Sequence, residues 1–166
     1  MTAEPRATRP HMPGYGIAGP ASGTGLLPWS WAVERLSGSH DYWLATAGSS
    51  GQPHVMPVWG VWLDGAVCFS SGLRSRKARD LAARPACTLT TDDAQQPVVV
   101  EGTAEPVTNV EGVRAFAAAI DAKYGTDYGV EFYDPALNGV WRVAPVWAFG
   151  LVQDDFTGSP TRWTFR

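Results

Sequence analysis

The apolar residues fall into short strand-like runs broken by glycine, proline and aspartate, with the densest patterning between residues 41 and 85. Residues 42–47 form an apolar, aromatic run, Gly48-Ser49-Ser50-Gly51 turns it, and residues 53–63 read as a long strand. Asp64-Gly65 is the dipeptide a type I′ hairpin favours, so residues 66–71 should run back antiparallel. Beyond Gly72, Ser75 is placed to cap a short helix that ends at Arg84-Pro85.

The flanking chain continues the pattern. Residues 30–36, with Trp31, Val33 and Leu36 apolar, predict a short helix stopped by Gly38. Residues 86–91 and 97–107 predict strands joined by the polar turn 92–96. Thr108 as N-cap with Glu111 three residues on makes a capping box, and Val110, Val113, Ala117, Ile120 and Tyr124 recur at helical spacing up to Gly125. Residues 126–137 read as loop with a helical turn. Residues 139–152 alternate valines and aromatics around Pro145, which predicts a strand with a bulge or an edge position, and residues 161–165 form a closing strand. The sum is a mainly β protein with about six antiparallel strands, one long helix and two short ones, in a closed or split barrel. Residues 1–28 are rich in Pro, Gly, Ala and Thr without an apolar period, and are expected to be a flexible arm that folds across a neighbouring surface. Residues 29–166 form one domain. The arm's Gly14-Tyr15-Gly16-Ile17-Ala18-Gly19 lacks the strand and helix that a dinucleotide fingerprint needs.

Composition narrows the function classes. The net charge is −3 and the cations cluster in one place, which argues against nucleic acid as a partner. Eight tryptophans fit aromatic walls in a β-rich protein, or an aromatic interface. Cys68 and Cys87 lie in apolar settings without metal-ligand spacing, so buried thiols are expected and no metal site. No apolar run reaches membrane length and the N-terminus lacks an apolar signal core, from which a soluble cytoplasmic protein without a membrane partner is expected.

The chemistry sits in the dense stretch. A serine-capped helix start carrying Arg76 and Lys77 suits a phosphate, because free backbone N–H groups, the dipole and the side-chain charges all favour an anion. The run His54-Val55-Met56-Pro57-Val58-Trp59 offers an apolar strand edge along which a flat ring can lie. Together they outline a site for a flavin-type cofactor. No Ser-His-Asp order, phosphate-binding P-loop or paired carboxylates are visible, and no catalytic residue is assigned. In hydride transfer the cofactor carries the chemistry.

The strand "GQPHVMPVW", the strand end "FSSG" and the helix start "SRKARDL" come in an order and spacing that resemble the pyridoxamine 5′-phosphate oxidase-like superfamily. This group, also called the flavin/deazaflavin oxidoreductase split-barrel family, is resembled over residues 29–166. The resemblance implies a split β-barrel that pairs into homodimers, with cofactor sites built at the interface from both chains. It implies that Arg76 and Lys77 hold the cofactor phosphate with Ser75, that Ser70 and Ser71 lie near the ribityl chain, and that residues His54 to Trp59 lie beside the ring. Arg162 and Trp163, with Trp147, would cover the cofactor from the partner chain; an aromatic core is the other reading of both tryptophans. The combination of motifs is most similar to the branch that uses the deazaflavin coenzyme F-420, with FMN as the alternative. Arg74 and Arg79 would flank the exit path of that coenzyme's carboxylate-bearing tail. The implied function is an oxidoreductase moving a hydride to or from a small organic substrate. The rival is a non-catalytic carrier of deazaflavin, haem or another tetrapyrrole. Residues 53–59 lack the basic residue that vitamin B6 oxidases carry on this strand, and the last strand lacks their arginine pattern, so pyridoxamine phosphate is not the expected substrate.

Overall fold

A computed structural model describes residues 4–165. Six antiparallel strands close a barrel: β2 (Asp41–Ala47), β3 (Pro53–Leu63), β4 (Ala66–Gly72), β5 (Ala86–Thr91), β6 (Val98–Pro106) and β7 (Asn138–Gly150). The order around the barrel is β7-β4-β3-β2-β5-β6, returning to β7. Two further strands, β8 (Thr161–Thr164) and β1 (Arg6–Thr8), extend the sheet outward from β7. The length of β7 allows this. One of its edges pairs with β4 over residues 138–143 and with β8 over residues 147–150, while the other pairs with β6.

Alternation fills the barrel. Tyr42, Leu44, Val67, Phe69, Leu89, Val98, Val100 and Val143 point inward and are buried. Helix α1 (Trp29–Gly38) adds Ala32 and Leu36 to this core, and α2 (Arg76–Ala83) adds Ala78 and Leu81. The long α3 (Val110–Tyr124) stays outside, where Phe116, Ala117 and Ile120 cover the outward-facing Val61, Cys68 and Val140 in a second core. Both cysteines are buried and unpaired, as expected, and burial pushes the Cys68 thiol up to about 11. Among the described residues no cluster of metal-ligating side chains is present, and no helix is long and apolar enough to cross a membrane.

The hairpin at Asp64-Gly65 has positive φ at both residues, 48° and 75°, as a type I′ turn demands. The irregularity expected near Pro145 is a bulge: Glu101 faces Trp147 while Gly102 faces Pro145, which leaves the exposed Val146 as the extra residue. The α3 N-cap is Asn109 in place of the expected Thr108; its side chain accepts the Gly112 N–H at 2.7 Å. The cause is the preceding strand, because Val107 N–H still donates to Val140 O and keeps the chain extended past Thr108. No strand was expected in the arm, yet β1 pairs there with β8. The Arg9 guanidinium donates to the carbonyls of Gly19, Ser22, Gly158 and Pro160, and Asp155 accepts from the Thr24 N–H at 2.6 Å, so the described part of the arm lies against the C-terminal strand.

Candidate functional site

The barrel wall is open on one side. β3 pairs with β2 along residues 53–59, whereas β4 joins it only from Gly60 to Leu63. Beyond that point Ser70, Ser71 and Gly72 follow β7 instead. The edge of β3 from Pro53 to Trp59 that faces β4 therefore has no strand partner among the described residues. His54 and Met56 face inward, opposite the buried Thr46 and Leu44, yet Met56 is 42% exposed because the wall beside it is missing. Val55, Pro57 and Trp59 face outward and are exposed. Val58 is buried and offers a ligand only its backbone.

The N-terminus of α2 stands on the other lip of this opening. Ser75 caps the helix, its Oγ accepting the Ala78 N–H at 3.2 Å and lying 2.9 Å from Ser71 Oγ. The N–H groups of Arg76 and Lys77 are among the first of the helix and have no carbonyl within it to reach. The helix is clamped to the β2–β3 turn by its own side chains. Asp80 is buried, accepts the Thr46 hydroxyl at 2.9 Å and lies 3.8 Å from Arg76 Nε. Arg84 donates to Ser49 O at 3.2 Å. A side chain at Gly48 would put its Cβ 2.5 Å from Asp80 Oδ1, so glycine is required where helix and turn meet. Arg76 is thus partly committed within the protein. Lys77, half-buried, forms no ion pair with any described residue, and neither do the exposed Arg74 and Arg79.

Trp163 does not belong to this group. Alternation along β8 turns Arg162 outward and Trp163 inward, where it has no exposed surface and packs 5.4 Å from Trp29 and 6.3 Å from Trp31 between ring centres. It supports the core and cannot cover a ligand. Trp147 and Arg162 do lie on the outer surface, the guanidinium 5.6 Å from the centre of the indole ring. The pairings place Val55, Ala45, Thr88, Glu101 and Trp147 in one row across that surface. Along that row Trp147 is four strands from Val55, while the other way round the barrel β7 and β3 are separated by β4 alone. Trp147 and Pro53 line one shallow groove of about 560 Å³, and Arg162, Ser75 and Lys77 are not in its lining.

Three contributors escaped the sequence reading. Tyr124 stacks on Trp59 with ring centres 4.2 Å apart and planes 4° from parallel, and its hydroxyl bonds Gly60 and donates to His40 O. Burial raises that phenol to about 12. The neighbouring Lys123 donates to Gly60 O at 2.6 Å, and burial lowers its pKa. These two residues dock the end of α3 where β3 loses its β4 partner. The helical spacing of Tyr124 is visible in sequence; its partner on another element is not. Asp80 was the third omission, and its i,i+4 spacing from Arg76 was the available signal.

Known proteins agree with this architecture. The chain matches no curated protein. Among solved structures it is similar to a conserved hypothetical protein from Mycobacterium tuberculosis, 21% identical, covering 84% of this chain and 86% of that one with a TM-score of 0.64. It is also similar to an F-420 reductase, 23% identical, covering 69% and 93% with a TM-score of 0.57. A haem storage protein from Vibrio cholerae is 18% identical and covers 70% and 86%, with a TM-score of 0.54. At these identities the likeness is one of fold. Residues 32–151, which run from α1 through the open wall and α2 to the end of β7, match the family described as pyridoxamine 5′-phosphate oxidase, and the chain belongs to that family.

Proposed function

We propose that this chain is an oxidoreductase that holds coenzyme F-420 in the open wall between β3 and β4 and uses it for hydride transfer with a small organic substrate. The observation that carries the reading is the juxtaposition of an unpaired strand edge with a capped helix start bearing a free cation. The donor set fits a phosphorylated deazaflavin. Lys77, the first amides of α2 and the Ser71 and Ser75 hydroxyls suit a phosphate. The backbone of residues 53–59 and the faces of Met56 and Pro57 suit the edge and plane of a ring system, with His54 beside them. When bound, the deazaflavin supplies the carbon that gives or takes the hydride. The chain's share is to bind, orient and exclude water.

A second copy of the chain completes the site in this reading. The outer face of β2 and β3 carries Trp43, Val55 and Trp59, each between 45% and 51% exposed; Tyr124 at the end of α3 stacks on Trp59, while Trp43 and Val55 lie outside the apolar cluster under that helix. Burying that face against a second copy would cover the groove and bring the partner's Trp147 and Arg162 within reach of the open wall.

FMN presents the same phosphate and a similar ring. F-420 is favoured by Arg74 and Arg79, exposed cations beside the grip that suit a tail of carboxylates; each such pair contributes about 0–1 kcal/mol and fades with salt. Equilibrium titrations at low and high ionic strength are expected to show tighter binding of F-420 than of FMN, with the margin shrinking in salt. Tighter FMN binding under both conditions would transfer the assignment to FMN. A haem Soret band in the purified protein, lost in His54→Ala, would establish the carrier reading instead.

A further inference from the structure

A cavity of about 680 Å³ lies at the hairpin end of the barrel, and the candidate cofactor site does not use it. Trp62, on its wall, is eight residues along β3 from His54, roughly 26 Å at the usual rise per residue. The cavity exists because β7 hands one edge from β4 to β8, and Ala144 and Pro145 lie in the wedge where those two strands diverge. Its volume falls in the range of sites that enclose a small molecule.

The lining has two chemistries. Trp29 meets Trp62 and Phe165 edge-on, with ring centres 6.1 Å and 4.9 Å apart, so the aromatic wall is braced by its own contacts. Beside it stand two guanidinium groups. Arg142 is half-buried and faces Glu105 across the ladder, yet it forms no ion pair; its Nη2 donates to Asp64 O at 3.2 Å and the rest of its fork has no protein acceptor among the described residues. Arg6, on β1, is exposed and likewise forms no ion pair with a described residue. Glu4 and Asp64 complete the rim on the exposed side. The lining itself holds two cations and two carboxylates, with Glu105 facing Arg142 from outside it, so the cleft suits at most a single negative charge and disfavours a phosphate or a polyanion. A guanidinium fork beside an aromatic wall matches a carboxylate attached to a flat ring.

We propose that this cleft is a second small-molecule site that takes a planar aromatic monocarboxylate, its ring against Trp62 and Phe165 and its carboxylate on Arg142 and Arg6. The site stands on the N-terminal strand, the β3–β4 hairpin and the C-terminal strand, and does not depend on which cofactor the other end of the barrel holds.

Calorimetric titration of the full-length protein with 2-naphthoate, and with the neutral 2-naphthamide, tests it. Naphthoate is expected to saturate one site per chain and to bind about tenfold more tightly than the amide, the difference a charge-assisted pair provides. Arg142→Gln is expected to bring naphthoate down to the affinity of the amide. Arg6→Gln, at an exposed position that leaves folding alone, is expected to weaken naphthoate in the same direction, and Lys77→Ala to change nothing. Melting temperatures of each variant confirm that the folded protein is being titrated. No saturation up to millimolar naphthoate, equal affinity for acid and amide, or full affinity in both arginine variants overturns the proposal. Loss of binding in Lys77→Ala overturns it too, by assigning the probe to the cofactor site.

Discussion

At the scale of single residues, the polar groups that matter most hold backbone in place where the barrel is incomplete. Asp92 illustrates the balance. Burial works against its charge, but the Ser39 hydroxyl at 2.8 Å and nearby backbone N–H groups favour the ionised form, and its pKa falls below the ordinary 3.8. A carboxyl depressed in the folded state stabilises it above the unfolded pKa, and that stability is lost as pH falls through the folded value. Asp92→Asn should therefore flatten the acid limb of a stability-versus-pH profile below about pH 5, read by urea unfolding. An unchanged acid limb would show that Asp92 does not anchor the α1–β2 corner. Lys123 and Tyr124 serve the same end at Gly60, where side chains from α3 satisfy backbone groups at the start of the open wall.

At the scale of elements, the clamp between α2 and the β2–β3 turn sets the shape of the proposed phosphate site. Removing Asp80 leaves the buried Thr46 hydroxyl without its acceptor and frees Arg76. Asp80→Ala should cost about 1–3 kcal/mol in chemical denaturation, the typical cost of orphaning a buried hydrogen-bonding group. A variant as stable as the parent would mean that α2 holds its place by Ala78 and Leu81 alone. Most of these elements were legible in the sequence because their signals are local: the span of β3, the Asp64-Gly65 turn, the Ser75 cap and the bulge beside Pro145 each depend on a few adjacent residues. The features that define the site are not local. That β4 abandons β3 at Gly60 to follow β7 is a matter of pairing, which apolar periodicity does not encode. The sequence left Trp163 open between a cofactor cover and the core for a related reason: in a run such as Thr161-Arg162-Trp163-Thr164 a shift of one residue exchanges the inner and outer faces, and burial selects the core. The three-residue β1 is too short to show any period.

At the scale of the whole molecule, the proposed dimer would join a largely exposed outer face, an open wall and the start of α2 on its lip into a shared site. Trp43→Glu, a substitution on an exposed strand position, should leave the chain folded while light scattering at micromolar concentration drops from about two chain masses to one, because a charge in the centre of a protein interface is strongly disfavoured. Cofactor affinity should fall with it. A parent protein that is already monomeric yet binds cofactor fully would show that one chain suffices. The central claim is that α2 holds the phosphate of a deazaflavin, and fluorescence titration of F-420 into the parent and Lys77→Ala proteins tests it most directly. Losing one charge-assisted contact should weaken binding by about 1.5–3 kcal/mol, tenfold or more, with the melting temperature unchanged. Equal affinity in the two proteins would contradict the account.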